Sequence, residues 1–416
     1  MSKICVIGGC GRIGLKTSLI CANKGHKVLS IDIDEERITE IKNRALPFIE
    51  NGLEPYLEKA IKSNQLILST EYEKVSEQEI IIITVGTPVD SNLNPSIEPV
   101  AGIIFDIAEY LKKDQLIVFR NIISPSVVNR IKTLIEDKTG YKIGKDIYVV
   151  FAPEPIDENQ NINDLENTPQ YIGAFDEESY AIAKSFFSSI TKGKISYLMP
   201  EEALLTKLMK NMYSYIKTAC GNEFLLIAES YGGNYHKILD SLVTEKDISN
   251  PPLPSPNSNA SGPGMHKEGW YLVERIPFTE LITTAFKINE SIPANIIEKL
   301  EKYKVKKVAI LGMASKPNSD EVRSSLSYKL RKLLLYKSYE VGCYDPYLPE
   351  FSDSSALYKA DAVILMTPHE RFKDIEELSK LINSSNFYLI DPSNFWNLGQ
   401  ESGIFYKLND LRKVII

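Results

Sequence analysis

The sequence predicts an α/β protein with two doubly wound domains joined by a long central helix. Three observations carry this. A short apolar strand runs into Gly9-Cys10-Gly11-Arg12-Ile13-Gly14 and then into a helical pattern. A second strand-to-glycine junction, Lys306-Lys-Val-Ala-Ile-Leu-Gly312, opens the last part of the chain. Between them Glu201–Tyr231 carries apolar residues at helical spacing, with no Gly or Pro before Gly221.

Each element follows from local pattern. Lys3–Ile7 is strand-like, Ile13–Asn23 helical, and Val28–Ile33 strand-like again, the β-loop-α-β opening of a Rossmann-like sheet. Further strand-like runs are Glu79–Thr84, Gln115–Phe119, Ile147–Phe151 and Pro169–Ile172, with helical patterns at Pro99–Leu111 and Pro125–Glu136. Residues 1–198 therefore read as an N-terminal domain and 199–300 as a central helical region. Inside the latter, Asn250–Gly262 is too rich in Pro, Ser and Asn for regular structure and reads as a long loop. Residues 301–416 form a second Rossmann-like domain, with a helix from Ser324 and strands at Glu340–Tyr344, Ala362–Met366 and Tyr388–Asp391. A chain of 416 residues exceeds one ordinary core, in keeping with this division.

Composition bounds the function. Hydrophobic residues at 43% and charged residues at 25% are those of a globular protein. The net charge of −7 argues against nucleic-acid and membrane-surface binding, so an anionic ligand must meet a local basic pocket. Five scattered cysteines and four dispersed histidines form no metal or disulfide pattern, and no metal is expected. No apolar run approaches the roughly 18 residues of a membrane span. The chain opens directly into a strand, leaving no room for a signal peptide. The expectation is a cytoplasmic protein.

The glycine loop fits a dinucleotide. Gly9 suits a tight turn, Gly11 a close approach of pyrophosphate, and Gly14 close packing of helix on strand, with Ile13 at the helix start. Asp32 ends the second strand about 20 residues on, where a carboxylate accepts ribose hydroxyls. That carboxylate favours NAD; Arg37 nearby leaves NADP open, and a purely structural glycine turn is the alternative.

Further motifs narrow the reading. They are Thr84-Val-Gly-Thr-Pro88, Phe151-Ala-Pro-Glu154-Pro-Ile-Asp-Glu158, Lys207-Leu-Met-Lys-Asn211 with Asn222-Glu223, and Leu311-Gly-Met-Ala-Ser-Lys316-Pro-Asn-Ser-Asp320-Glu-Val-Arg323. In this order they resemble the UDP-glucose/GDP-mannose dehydrogenase family of nucleotide-sugar 6-dehydrogenases. The resemblance implies NAD as cofactor and a UDP- or GDP-sugar as substrate. It implies Thr87 and Arg323 beside the cofactor and Lys316 beside the nucleotide sugar. Lys207 and Asn211 would bind substrate and steady an oxyanion, while Glu154, Glu158 and Glu268 handle protons. It also implies a homodimer through the central helix, although Leu204, Leu205, Leu208, Met209 and Met212 could equally face the chain's own core. From spacing alone, Lys207, Asn211, Tyr215, Thr218 and Asn222 share one helix face. A substrate pocket would partner such a polar stripe; so would a hydrogen-bond network or solvent.

The pattern breaks where the family carries its thiol. The family's Gly-Pro-Cys-Leu-x-Lys-Asp appears as Gly262-Pro-Gly264-Met-His-Lys-Glu268, with Gly264 in the cysteine's place. That cysteine turns the aldehyde into a thiohemiacetal able to give a second hydride. An alignment on His266 puts Lys267 there instead, again without a thiol. Ile122 replaces a water-positioning threonine, and Asp391-Pro-Ser-Asn394 lacks a sugar-nucleotide arginine. Three readings follow: a two-electron oxidation or oxidation and re-reduction, a four-electron oxidation with a thiol-free second step, or an inactive binding homologue.

Overall fold

Runs of four or five aliphatic residues become strands buried on both faces, because helices cover each side of a parallel sheet. The computed structural model describes residues 1–50, 52–90, 95–155, 167–242, 252–260, 263–276, 279–384, 387–397 and 405–408. Its contacts divide the chain into two units, Met1–Lys210 with Lys267–Pro277, and Asn211–His266 with Phe278–Ile416.

The first unit starts with β1 (Lys3–Ile7), α1 (Arg12–Asn23), β2 (Lys27–Ile31), α2 (Glu35–Lys42), α3 (Glu54–Lys62) and β3 (Leu66–Ser69). It continues through β4 (Ile80–Ile83), α4 (Glu98–Ile107), β5 (Leu116–Phe119), α5 (Val128–Thr139) and β6 (Tyr148–Phe151). β7 (Gln170–Ala174), α6 (Glu177–Ile190) and β8 (Ile195–Leu198) complete the sheet, whose strand order is β3-β2-β1-β4-β5-β6-β7-β8. In this sheet, among the described residues, only the β6–β7 pairing is antiparallel. Alternate residues of each strand serve opposite faces. Ile4, Val6, Ile80, Ile82 and Val118 pack under α1, α2, α3 and α6. Cys5, Ile7, Ile81, Ile83 and Phe119 pack under α4 and α5. Strand order reverses between β1 and β4, so the carboxyl ends there open a crevice suited to a dinucleotide.

α7 (Pro200–Ser230) has proline at its first position and Glu201 and Glu202 in its first turn, all favourable to a helix start. α8 (Tyr235–Leu242), α9 (Pro263–Val273) and α10 (Glu280–Leu300) follow. Residues 252–260 hold no helix or strand, as expected. The expectation of a loop does not extend to Gly264–Glu268: these residues occupy the first turns of α9, which Pro263 opens.

In the second unit β9 (Lys307–Leu311), α11 (Leu326–Tyr336), β10 (Glu340–Tyr344), β11 (Ala362–Leu365), α12 (Ile375–Ile382), β12 (Phe387–Ile390) and β13 (Phe405–Leu408) form a sheet ordered β10-β9-β11-β12-β13. α10 and α11 cover one face and α12 the other. Among the described residues no helix is long and apolar enough to cross a membrane.

Candidate cofactor and substrate site

β1 leads into Gly8, whose φ of 77° lies in the left-handed region that favours glycine. The tight turn therefore falls at Gly8, one residue before the expected Gly9. Gly9 is glycine for another reason: a Cβ there would lie 2.7 Å from Cβ of Ser30. At Gly14 a Cβ would sit 2.0 Å from the Gly8 carbonyl oxygen, so only glycine lets α1 approach the turn. Thr84, ending β4, donates its hydroxyl to the carbonyls of Ile7 at 2.8 Å and Gly8 at 3.1 Å. The cradle is thus tied across the switch point.

Asp32 follows β2 and accepts the N–H of Cys10 at 2.9 Å on one oxygen and that of Asp34 at 3.2 Å on the other. Each carboxylate oxygen takes two hydrogen bonds, so acceptor capacity is left for ribose hydroxyls. Arg37 pairs with Asp34 at 3.2 Å on the surface. Ile13 sits in the first turn of α1, beyond its N-cap Gly11.

The turns after β4 and β5 are held by α9. Thr87 donates its hydroxyl to the Ile122 carbonyl at 2.6 Å. Its own carbonyl accepts Nζ of Lys267 and the hydroxyl of Tyr271, each at 2.8 Å. Ser124 and Ser126 donate to the Glu274 carboxylate at 2.7 and 2.8 Å. Asn121, the second residue after β5, donates its amide to the Val85 carbonyl at 3.0 Å, while its Oδ1 is buried without a protein partner. A buried orphan acceptor beside the glycine cradle is what a bound dinucleotide would satisfy, so these residues fit the cofactor.

Glu154 follows β6 and meets Nη2 of Arg120 at 3.2 Å, both side chains almost wholly buried. Arg120 also donates to the Ala152 carbonyl at 3.1 Å and the Gln170 side chain at 2.9 Å, and lies over the Phe187 ring. Lys210 donates to the Pro155 carbonyl at 3.3 Å. Lys207 is buried on α7, with Asn211 one turn on and half-buried. Glu268 is buried in α9 beside Lys267. Glu158 lies outside the described residues.

The structure puts the remaining members of the polar stripe to internal use. The Asn222 amide donates to Asn289 Oδ1 at 2.9 Å, and its oxygen accepts the Asn257 N–H at 2.8 Å. It thereby fixes residues 252–260 onto α7. Thr218 donates to the Ser214 carbonyl at 3.2 Å. Burial pushes the Tyr215 hydroxyl up to about 12.

In the second unit Lys316 is buried and Arg323 binds Glu321, with Nε at 2.8 Å and Nη2 at 2.5 Å. Among the described residues no three His, Cys, Asp or Glu side chains could hold a metal.

Sequence reasoning missed Arg120, Asn121, Tyr271 and Glu274. The signal for the first was present: an arginine directly after the apolar run Leu116–Phe119 needs a buried counter-charge.

Comparison with known proteins finds two matches within the chain. Residues 2–191 match the NAD binding domain of the UDP-glucose/GDP-mannose dehydrogenase family, and residues 309–398 its UDP binding domain. A UDP-N-acetyl-D-mannosamine dehydrogenase of Methanocaldococcus jannaschii is 32% identical over 410 residues, covering 95% of this chain and 93% of the relative. A solved UDP-D-ManNAc dehydrogenase of Pyrococcus horikoshii superposes with a TM-score of 0.83 at 28% identity, covering 91% of this chain and 92% of that one. A UDP-N-acetyl-mannosamine dehydrogenase of Staphylococcus aureus gives 0.79 at 25% identity, covering 95% and 99%.

Proposed function

Because the chain belongs to the UDP-glucose/GDP-mannose dehydrogenase family of NAD-dependent oxidoreductases, we propose that it oxidises the sugar of a UDP-linked N-acetylhexosamine by two electrons. The observation that carries the electron count is the state of the thiols. Cys5, Cys10, Cys21 and Cys343 are buried. Burial holds Cys10 and Cys21 up at about 12 and Cys343 at about 11, with Cys5 higher still. Cys220, half-buried, is also pushed up by burial. No cysteine occurs between Cys220 and Cys343, the stretch that includes α9. A thioester route needs an accessible thiolate, and these groups stay protonated near neutral pH. The relatives' names and the UDP binding domain support the substrate class.

Bound NAD supplies the hydride acceptor. The chain's residues then divide the remaining work. Lys207, a buried cation, and Asn211 stabilise the oxyanion that develops as the sugar hydroxyl loses its proton. Glu268 and Glu158 take and pass protons. Glu154, anchored by Arg120, is a fixed anion that orders this set. Lys316 meets the nucleotide sugar through its charge, and Arg323 the cofactor. Gly264 lines the substrate position without contributing a nucleophile.

The test is the NADH yield per sugar with UDP-N-acetylmannosamine, UDP-N-acetylglucosamine, UDP-glucose and GDP-mannose, with products weighed by mass spectrometry. One NADH with an aldehyde or ketone is the expected result. Two with a uronic acid would overturn the two-electron reading in favour of a thiol-free second step. None, with NAD bound, would mark a binding homologue.

A further inference from the structure

The second unit repeats the β-loop-α-β opening of the first and finishes it differently. In each, the first strand leads into a left-handed glycine, Gly8 at φ 77° and Gly312 at φ 82°. In each, the next strand ends in an aspartate that accepts loop N–H groups. Asp32 takes two such bonds. Asp345 takes three, from Met313 at 2.7 Å, Ala314 at 2.9 Å and Tyr347 at 2.9 Å. Its fourth partner is Nε2 of His369 at 3.0 Å, and both side chains are fully buried. Three of these four bonds fall on Oδ2 and one on Oδ1. A protein imidazole is thus a side-chain partner of this carboxylate.

The other imidazole nitrogen holds a second group. Nδ1 accepts the backbone N–H of Asn318 at 2.8 Å, which puts the ring proton on Nε2, donated to Asp345. Asn318 has a left-handed φ of 54°. Its side-chain oxygen accepts the Glu370 N–H at 2.9 Å and the Tyr347 hydroxyl at 3.2 Å. Asn318 lies near the apex of a turn closed by the Ser315 N–H on the Glu321 carbonyl at 2.6 Å, and Lys316 is two residues before it.

We propose that His369 is a positioning residue for Lys316: its Nδ1 anchors the Ser315–Glu321 turn through Asn318 and so sets affinity for uridine diphosphate. This rests on the reading that Lys316 meets the nucleotide sugar. The two ring nitrogens can be tested apart. Asparagine offers an acceptor near the Nδ1 position and leaves the Nε2 position empty, whereas glutamine reaches the Nε2 position and abandons Asn318.

Calorimetric binding of uridine diphosphate to the full chain is the readout, with NAD binding as control. His369→Asn is expected to keep affinity within about threefold, and His369→Gln and His369→Ala to lose roughly tenfold, the size of one lost hydrogen bond. NAD affinity is expected to fall less than uridine diphosphate affinity, because among the proposed NAD contacts only Arg323, held by Glu321, adjoins this turn. Tyr347→Phe removes only the bond to Asn318 and is expected to weaken binding about threefold, which tests the same anchor should the His369 variants not fold. Equal affinities for the asparagine and glutamine variants, or parallel loss of NAD binding, would overturn the proposal. Lys316→Ala binding as tightly as the unsubstituted chain, beside a weakened glutamine variant, would instead overturn Lys316 as the contact and leave the anchored turn standing.

Discussion

At the scale of single residues, Arg120 and Glu154 most constrain the chemistry. A buried ion pair is costly to break from one side, because the remaining charge has no water to return to. Arg120→Met strands the Glu154 carboxylate and is expected to destabilise the chain by about 3–5 kcal/mol, measured by urea denaturation. Glu154→Gln leaves Arg120 its bonds to Ala152 and Gln170 and is expected to cost less. If Glu154→Gln keeps stability yet loses turnover, the carboxylate orders the reacting groups; if the two variants cost the same, Glu154 is structural. Much of this scale was legible in the sequence. Gly14 and Asp32 follow from a fixed spacing that one dinucleotide imposes on any chain. Arg120 was not legible, because its partners come from the ends of other strands, which only the folded sheet brings together.

At the scale of elements, α9 acts as a clip. Lys267, Tyr271 and Glu274 are four and three residues apart and so share one side of the helix and its extension. They hold the turns after β4 and β5 by side-chain bonds of 2.7–2.8 Å. Ser124 and Ser126, in the turn after β5, thus have a carboxylate partner in Glu274. Tyr271→Phe and Glu274→Ala are each expected to raise KM for NAD about threefold to tenfold with kcat little changed. An unchanged KM in steady-state kinetics would show that the turns hold themselves. β1 and α6 are joined by His26, whose Nδ1 accepts the Ser2 N–H at 3.2 Å and whose Nε2 lies 2.9 Å from the Ser189 hydroxyl. Burial, then the positive chain start, lowers its pKa below the ordinary 6.5. A lowered pKa means that the unfolded chain binds the proton first, so this stability is present above pH 6.5 and is lost as pH falls through the folded value. Denaturation midpoints should drop on acidification below that pH, and His26→Gln should flatten the drop; parallel curves would exclude His26 as its source. The central strands were legible as apolar runs. β3 and β8 were not, since each is a four-residue sheet edge whose residues are mostly only half-buried.

At the scale of the whole molecule, α7 leaves an apolar stripe uncovered. Met209, Tyr213, Ile227 and the following Tyr231 are 56%, 64%, 49% and 88% exposed. At about 100° per residue these four fall within roughly 40° of one another, with half-buried Ile216 and Cys220 in the same sector. Of the residues expected to face either core or partner, Leu204, Leu208 and Met212 are buried and Met209 is exposed. The periodicity alone could not separate these, because both faces of α7 are apolar and only packing tells which is already covered. An exposed apolar row of this length marks an interaction surface. A second copy of the same helix is self-complementary across a twofold axis, and a homodimer formed there would cover the stripe on both chains. Tyr213→Glu buries two charges against apolar neighbours in such a dimer and none in a monomer. Sedimentation velocity should therefore find the unsubstituted chain near twice its 46.9 kDa mass and the variant at that mass, with NAD binding retained. A substituted chain that still sediments as a dimer would place the partner surface elsewhere.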